Sequence, residues 1–407
     1  MNFKLLVIIL VILDGLYHAV LNRVTYRSAG NPTPDNLKDV YDDEAYSKWK
    51  RYNADNCTLG IFSTLVNLVI TLAMLCANVH AAIAALFPSG AFWQMMSVVL
   101  LECIVGTGAG VVFSYIRTFK IEEKYGFNRS TVKTFVFDRI RGLIFELMLL
   151  LGVSALLMWL HTTMGDWMIL LFAIAVFIFT MIISFIYPLL SRLGNKFTPL
   201  EDGELKDRLM ALLTKHGYKV RAIEVMDASR RTSKLNAYFT GFGKLKRIVL
   251  YDNLINCMTP DEICAVFAHE LGHGLNKDVL KGQIAGFGNL MLLSLVIWLA
   301  VKNPEAYTQF GFDGVNYGFA YILMSAGLSV VQPFTSILMN IRSRKAEYRA
   351  DRQAVEEGYG EALITALKKL ARENFAHLAP SKINVVLKYS HPPLRERIGA
   401  IEKRLGK

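Results

Sequence analysis

Two histidines and a glutamate within five residues have the types and spacing of a metal-dependent hydrolytic site. The stretch His-Glu-Leu-Gly-His occupies residues 269–273, so His269 and His273 are four positions apart. On a helix, side chains four apart lie on one face, where two imidazoles can bind one Zn²⁺. Glu270 between them is the residue type that acts as general base toward water. The pattern predicts zinc-dependent hydrolysis, and an accidental match on a surface helix is the alternative.

The residues before these histidines favour a helix. Thr259 can cap a helix N-terminus, Pro260 suits the first helical position, and Glu262 completes a Thr-x-x-Glu capping box. Ile263, with Val266 and Phe267, adds an apolar face. We therefore expect a helix in the stretch Thr259–Leu275.

A catalytic zinc usually has a third protein ligand and one open position for water. Glu347 is the best candidate, because no Pro or Gly interrupts residues 334–357 and a helix could carry it out of a membrane. Asp351 lies one turn beyond Glu347 on the same face, where it could orient a ligand histidine through its other ring nitrogen. The alternative is a charged helix face with local salt bridges.

Composition indicates a multi-pass membrane protein. Of 407 residues, 53% are hydrophobic, and the mean hydropathy is +0.33. Asp14 and His18 interrupt the first apolar run and no cleavage site follows it, so we expect a retained helix rather than a signal peptide. Seven apolar runs are long enough to span a bilayer, which needs about 20 residues: residues 5–22, 60–87, 93–116, 142–160, 167–190, 284–301 and 318–341.

The distribution of positive charge predicts the topology. All Lys and Arg residues except Lys4 and Lys302 lie in four segments, which seven crossings would place on one side: 23–59, 117–141, 192–283 and 342–407. The positive-inside rule then puts the N-terminus outside and the C-terminus in the cytoplasm. The net charge of +11 is thus attributed to topology, and no nucleic-acid partner is expected.

We expect four parts in the chain. Their boundaries are 1–191 for membrane helices one to five with cytoplasmic loops 23–59 and 117–141, 192–283 for a cytoplasmic metallopeptidase part, 284–341 for helices six and seven, and 342–407 for a C-terminal cytoplasmic part.

Some local structure can be predicted within these parts. Segment 23–59 has no clear fold, and 117–141 is expected to be a loop followed by an amphipathic surface helix. In the third basic segment we expect a turn at Phe197–Leu200 and a helix at Asp202–Lys215. Strands are expected at Tyr218–Met226, Asn236–Phe239 and Lys246–Tyr251, and the last two strands lie around Gly241 and Gly243.

Ionisable residues inside the apolar runs need a polar environment. Asp14, Glu102 and Glu146 lie within these runs, and His80 lies near one end. A charge facing lipid is costly, so these side chains should face the protein interior or water. A polar chamber between the helices and paired interhelical contacts remain equal alternatives.

In combination, these segments resemble the type I CaaX prenyl endopeptidases, which are integral-membrane zinc metallopeptidases. The resemblance covers nearly the whole chain, and the NAYF, SRKAEYRAD and SHPPLRERI segments are far more specific than HELGH. The matching segments are EEKYGFN at 122–128, NKFTPLEDGELK at 195–206, NAYFTGFGKLKRIVLYDNLI at 236–255, HELGH at 269–273, SRKAEYRAD at 343–351 and SHPPLRERI at 390–398.

The resemblance implies a fold and a site. The fold is predominantly α: a bundle of seven transmembrane helices encloses a chamber, with a small α+β gluzincin-type zinc metallopeptidase domain on the cytoplasmic side. One Zn²⁺ per chain would be bound by His269, His273 and Glu347. The other implied site residues are Glu270 as general base, His391 as the catalytic residue that steadies the tetrahedral intermediate, Asp351 behind the ligands, and Asn236, Ala237, Tyr238 and Arg397 at the substrate.

The implied activity is removal of the last three residues of a prenylated protein or peptide that ends in Cys-a-a-X. The alternatives are a membrane quality-control metallopeptidase of looser specificity and, in another class, a seven-helix transporter or receptor with an incidental HELGH. The short connection at 302–317 and the absence of a C-terminal dilysine fit a compact, bacterial-type chain. The expected location is therefore the bacterial plasma membrane or, in a eukaryote, the endoplasmic reticulum membrane.

Overall fold

A computed structural model describes residues 2–88, 90–218, 222–240 and 247–407. The described chain is mostly helical, with one small sheet. Its helices are α1 (Phe3–Ser28), α2 (Asp43–Cys76), α3 (Val79–Ala85), α4 (Ala91–Ile116), α5 (Val132–Met164), α6 (Met168–Leu190), α7 (Glu204–Lys215), α8 (Asp252–Cys257), α9 (Pro260–Leu275), α10 (Asp278–Val301), α11 (Pro304–Thr308), α12 (Tyr317–Glu356), α13 (Gly360–Glu373), α14 (Lys382–Lys388) and α15 (Leu394–Arg404). The strands are β1 (Phe197–Pro199), β2 (Ala222–Met226), β3 (Ala237–Thr240) and β4 (Arg247–Tyr251).

Among the described residues, six continuous helical stretches are long and apolar enough to cross a membrane. One of them, Val132–Ile186, has 55 residues and contains the predicted apolar run 142–160 and most of 167–190. A short 3₁₀ turn at Gly165–Trp167 divides it into α5 and α6, and Gly165 adopts a φ of 54° there. Glycine accepts this left-handed backbone without the Cβ clash of other residues. The structure thus supports a membrane bundle, and the count of seven crossings stays a prediction.

Two segments are more helical than the sequence predicts. Segment 23–59 was expected to lack a clear fold, but α2 begins at Asp43 and is capped by the Asp42 side chain. In the second segment, a π-helix at Arg117–Glu122 extends α4, and α5 begins at Val132 and continues directly into the apolar run. The absence of a clear fold in 23–59 was therefore a wrong expectation. In 117–141 a loop followed by a helix is found, at residues 125–131 and from Val132, but this helix is the start of a membrane-length helix rather than a separate surface helix.

The sheet has the order β1-β2-β4-β3. β2 and β4 are parallel, whereas β1 and β3 are antiparallel to their neighbours. The expected turn at Phe197–Leu200 is therefore strand β1, which pairs with β2. The predicted glycines Gly241 and Gly243 lie outside the described residues. β3 lies at one edge, so one side of its backbone pairs with no strand in the described ranges.

Helices α9 and α12 form the close contact on which the site depends. Gly272 of α9 faces α12, and a Cβ atom added there would lie 2.9 Å from the Cα of Ala350. Ala346, Ala350 and Ala354 form a buried stripe of small side chains on α12. Small residues on both helices let the backbones approach closely, which brings the histidines of α9 beside the carboxylates of α12.

Cavities separate the membrane helices. One of about 350 Å³ is bordered by α1, α2, α4 and α12, and its lining includes Asp14 and Glu102. A second of about 350 Å³ shares Asp14 and is bordered by α1, α10, α12 and α14. Glu146 lines a third of about 300 Å³ between α4 and α5. Glu102 also accepts a hydrogen bond from His80 at 2.5 Å. This residue therefore both lines a polar cavity and forms a paired contact between helices.

Candidate metal centre

The helix that carries the two histidines begins as predicted. The Thr259 hydroxyl accepts a hydrogen bond from the backbone N–H of Glu262 at 3.3 Å, and the Glu262 carboxylate accepts one from the backbone of Thr259 at 2.8 Å. The predicted capping box is therefore confirmed, with Pro260 in the first turn. It fixes where α9 starts, and this sets the rotation that turns His269 and His273 toward α12.

Three side chains converge between α9 and α12. One ligand atom from each of His269, His273 and Glu347 can be chosen so that all lie within 4.8 Å of one another. Nε2 of His269 is 3.6 Å from Oε2 of Glu347, and Nε2 of His273 is 3.3 Å from Oε1. Two imidazole nitrogens and one carboxylate are a common donor set for catalytic zinc.

The state of Glu347 fits a bound cation. Its side chain is 6% exposed, and its Oε2 atom is buried without a hydrogen-bond partner among the described residues. Burial would raise its pKa, but the hydrogen bond from His273 and the charges of His269 and Arg397 lower it to about 2. Arg397 lies 3.4 Å from this oxygen but makes no hydrogen bond to it, so Oε2 remains available as a ligand that a bound cation would satisfy. These residues therefore fit a metal ion.

The second nitrogen of each histidine is held by a carboxylate. Nδ1 of His269 donates to Asp351 at 2.9 Å, and Nδ1 of His273 donates to Asp278 at 3.1 Å. With Nδ1 as the donor to these carboxylates, each Nε2 lies beside Glu347 and becomes available to a metal ion once it carries no proton. The sequence interpretation placed Asp351 here but missed Asp278, although it follows His273 by only five residues and opens α10.

Arginines hold both of these carboxylates. Arg397 donates to the two oxygens of Asp351 at 2.9 and 2.6 Å, and Arg349 donates to Asp278 at 2.7 Å. Burial would raise the pKa of Asp351, yet its hydrogen bonds with His269 and Arg397 lower it to about 2. Arg397, expected at the substrate, is 11% exposed and also lies 3.4 Å from Glu347. Its position is behind the ligands.

Glu270 lies on the open side of the site. It lines a cavity of about 370 Å³ together with His273, residues at the start of α10 and residues in the second half of α12. This cavity gives a water molecule or a peptide access to the carboxylate. The location suits a general base, which must lie within hydrogen-bond reach of the proton it removes.

The remaining expected site residues surround this centre. His391, in the loop before α15, is 63% exposed, and its Nε2 is 3.3 Å from Oε1 of Glu347. Ala237 and Tyr238 belong to edge strand β3, where they pair with Leu250 and Val249 of β4. Asn236 precedes the strand, is exposed, and its side chain accepts a hydrogen bond from the N–H of Ala237 at 2.9 Å. β3 contacts α9, so the edge and the ligand helix are neighbours.

Comparisons with known proteins agree along the whole chain. A family model described as the CAAX prenyl protease N-terminal region, with five membrane helices, matches residues 22–192. The model of peptidase family M48 matches residues 199–405.

Individual relatives cover nearly the same length. The CAAX prenyl protease 1 homolog of Arabidopsis thaliana is 32% identical over 391 residues, 91% of this chain and 90% of that protein. CAAX prenyl protease 1 of Saccharomyces cerevisiae is 31% identical over 408 residues, covering 91% and 88%. The crystal structure of S. mikatae Ste24p superposes with a TM-score of 0.92 at 28% identity and covers 99% of both chains. The chain therefore belongs to the CAAX prenyl protease family within peptidase family M48, and it is an integral-membrane metalloendopeptidase.

Proposed function

We propose that the chain is a zinc endopeptidase that removes the last three residues of prenylated substrates ending in Cys-a-a-X. The observation that carries this proposal is the convergence of His269, His273 and Glu347 beside Glu270, at a cavity bordered by two membrane helices. The names of the relatives supply the substrate class. A site at the end of a membrane bundle suits a peptide whose lipid group stays in the bilayer.

The two histidines and Glu347 would hold one Zn²⁺ per chain. When bound, zinc acts as a Lewis acid and lowers the pKa of coordinated water from 15.7 to about 7. Asp351 and Asp278 keep the imidazoles in the tautomer that presents Nε2. Arg397 would act through the carboxylates that it holds rather than by direct contact with the substrate.

Glu270 would accept a proton from the attacking water and pass it to the amine that leaves when the peptide bond breaks. His391 would donate its Nε2–H to the oxygen that becomes negative on the scissile carbonyl. Its exposure and its position next to Glu347 allow it to reach a peptide held beside the ligands.

The substrate backbone would add to the sheet at β3. An edge strand offers unpaired N–H and C=O groups, and an extended peptide can satisfy them. Asn236, Ala237 and Tyr238 would form this contact, because β3 lies beside α9. The prenyl chain would occupy the cavities between the membrane helices.

The proposal includes an orientation and four parts with the boundaries given above. Seven crossings would place the N-terminus outside and the site in the cytoplasm, in a bacterial plasma membrane or the endoplasmic reticulum membrane. The basic segments support this orientation, since almost all Lys and Arg residues lie in them.

The test combines zinc content with peptide cleavage for protein purified in detergent. We expect one zinc per wild-type chain and cleavage of a farnesylated CaaX peptide. Glu270→Ala should keep the zinc but not cleave, and Glu347→Ala should lose both. Glu356→Ala is the matched control on α12, because Glu356 is 59% exposed and lies away from the ligands.

The outcomes separate the alternatives. Strong preference for the farnesylated peptide over its unprenylated twin supports CaaX processing, whereas equal cleavage favours a quality-control peptidase of looser specificity. A wild type without zinc that cleaves neither peptide would overturn the proposal.

A further inference from the structure

One face of α12 forms a wall of the cavity that contains Glu270. Met339, Arg342, Ala346 and Arg349 follow each other at intervals of three or four residues and line this cavity together. Such spacing places side chains on one helix face. The wall therefore presents two arginines to the space beside the general base.

The two arginines differ in their partners. Arg349 donates to Asp278 at 2.7 Å, and Asp278 also holds His273. Arg342 has no hydrogen bond or ion pair with any described residue, although Glu270 and Asp278 line the same cavity. The charge of Arg349 is thus neutralised within the protein, whereas the guanidinium of Arg342 is free to bind an anion from outside.

The position of Arg342 matches the length of a short peptide. It precedes Glu347 by five residues, which is roughly 7.5 Å along the helix axis at 1.5 Å per residue. An extended peptide advances at most about 3.3–3.6 Å per residue, so three residues span roughly 10 Å. Since an arginine side chain adds its own reach, a peptide cleaved at the ligands could place its C-terminus at this guanidinium.

We infer that Arg342 binds the C-terminal carboxylate of the peptide substrate and thereby selects bonds close to the chain end. This inference rests on the proposed peptidase function and adds a specificity-determining contact to it. Guanidinium and carboxylate form paired charge-assisted hydrogen bonds, which are about twice as strong as neutral ones. The neighbouring hydroxyl of Ser343 lines the same cavity and can donate a further hydrogen bond.

A simpler role for Arg342 is that of a cation at the membrane surface. It follows the last predicted apolar run directly, and arginines at such positions extend toward the lipid headgroups. That role makes no distinction between a substrate with a free carboxylate and one with an amide. The chemistry of the peptide end therefore separates the two roles.

The experiment compares a farnesylated peptide acid with the same peptide as a C-terminal amide. In the wild type we expect kcat/KM for the acid to exceed that for the amide by about tenfold or more, the range of a hydrogen bond to a charged group. In Arg342→Gln the acid-to-amide ratio should fall to about one, and Arg342→Lys should retain part of the preference. Arg352→Gln, an exposed arginine of the same helix outside this cavity, should leave the ratio unchanged.

A binding measurement removes the dependence on turnover. The affinity of both peptides is measured for Glu270→Gln, and for the double variant with Arg342→Gln. If the acid binds more tightly than the amide and this preference disappears in the double variant, the inference is supported. This holds even if the wild type cleaves neither peptide, because failure to cleave would overturn only the proposed function. Equal binding of acid and amide, or a preference that survives Arg342→Gln, overturns the role of Arg342.

Discussion

The contact between α9 and α12 and the contacts around α4 both contain small residues, yet these residues have different surroundings. At the first contact, a Cβ on Gly272 would meet the backbone of Ala350 at 2.9 Å. In α4, the positions of Gly106, Gly108 and Gly110 have no atom within 4 Å of an added Cβ. The same residue type therefore permits close packing at the metal centre and borders open space in the second half of α4.

The surroundings of the ionisable residues also differ between the two regions. Around the ligands, His269, His273 and the two aspartates behind them are linked to arginines in a connected network. In the membrane half, Asp14 and Glu146 line cavities of about 350 and 300 Å³. Three ligand atoms need fixed positions, whereas the prenylated peptide of the proposed function would need space. We interpret the contrast as a rigid centre beside more loosely packed membrane helices.

Breaking the network behind His269 should have the largest effect. In Asp351→Asn, the carboxylate that holds both His269 and Arg397 is lost, and Arg397 keeps its buried charge with one partner fewer. Losing a carboxylate behind a metal-binding histidine typically costs tenfold to a hundredfold in metal affinity or activity. We expect a loss of about that size in zinc affinity, measured by competition with a chelator.

Asp278→Asn provides the comparison, because it removes the corresponding partner of His273. We expect a smaller loss, since the 3.1 Å hydrogen bond is longer and the His273 side chain is 20% exposed, against 10% for His269. Equal zinc affinity in the wild type and both variants would contradict the importance of the network.

These two aspartates also show what the sequence could predict. The role of Asp351 could be predicted because this residue shares a helix face with Glu347, and the capping box of α9 followed from local residue types. The role of Asp278 could not be predicted, because it depends on the turn between α9 and α10. Lys277 adopts a left-handed backbone with a φ of 54° in that turn, and single-residue patterns do not predict such a conformation.

Tertiary packing contributes to the other differences. The polar first half of α2 has a local start signal, the cap Asp42 followed by Asp43 and Glu44, which the sequence interpretation missed. Tertiary packing adds to it, because Trp49 is buried at 2% exposure in the cluster that includes Leu363 and Leu378. The edge position of β3 likewise depends on the order in which the strands pair, with β4 between β3 and β2. Membrane runs and ligand spacing are local patterns, and these could be predicted.

Packing at the helix contact can be tested by adding one methyl group. Gly272→Ala would force α9 away from Ala350, because the backbone there cannot rotate aside as a side chain could. Overpacking of this kind typically costs about 1–3 kcal/mol. We expect a lower unfolding temperature in detergent and weaker zinc binding, since the same displacement separates the histidines from Glu347. Unchanged zinc affinity would show that the contact tolerates the displacement.

The pH dependence of zinc binding tests the charges of the centre. Burial disfavours the charged form of His273, but the hydrogen bond and charge of Glu347, with Asp278 and Glu270, raise its pKa to about 9. Below that pH zinc must displace a proton from His273, whereas Glu347, with a pKa of about 2, is already ionised. Because one proton is released, apparent affinity should fall about tenfold per pH unit below pH 9. Affinity that is constant between pH 6.5 and 8.5 would contradict this assignment.

The smallest effect is expected when the same methyl group is added in the open part of α4. Gly106 lies inside α4, lines the cavity beside Glu146 and has no atom within 4 Å of an added Cβ. Replacing a helical glycine by alanine reduces the entropy of the unfolded chain, so Gly106→Ala should raise stability by about 0.4–1 kcal/mol. Thermal unfolding of Gly106→Ala and Gly272→Ala in the same detergent measures the contrast as shifts of opposite sign. If Gly106→Ala lowers the unfolding temperature as much as Gly272→Ala does, the second half of α4 is packed as closely as the metal centre, and the distinction between a rigid centre and more loosely packed membrane helices fails.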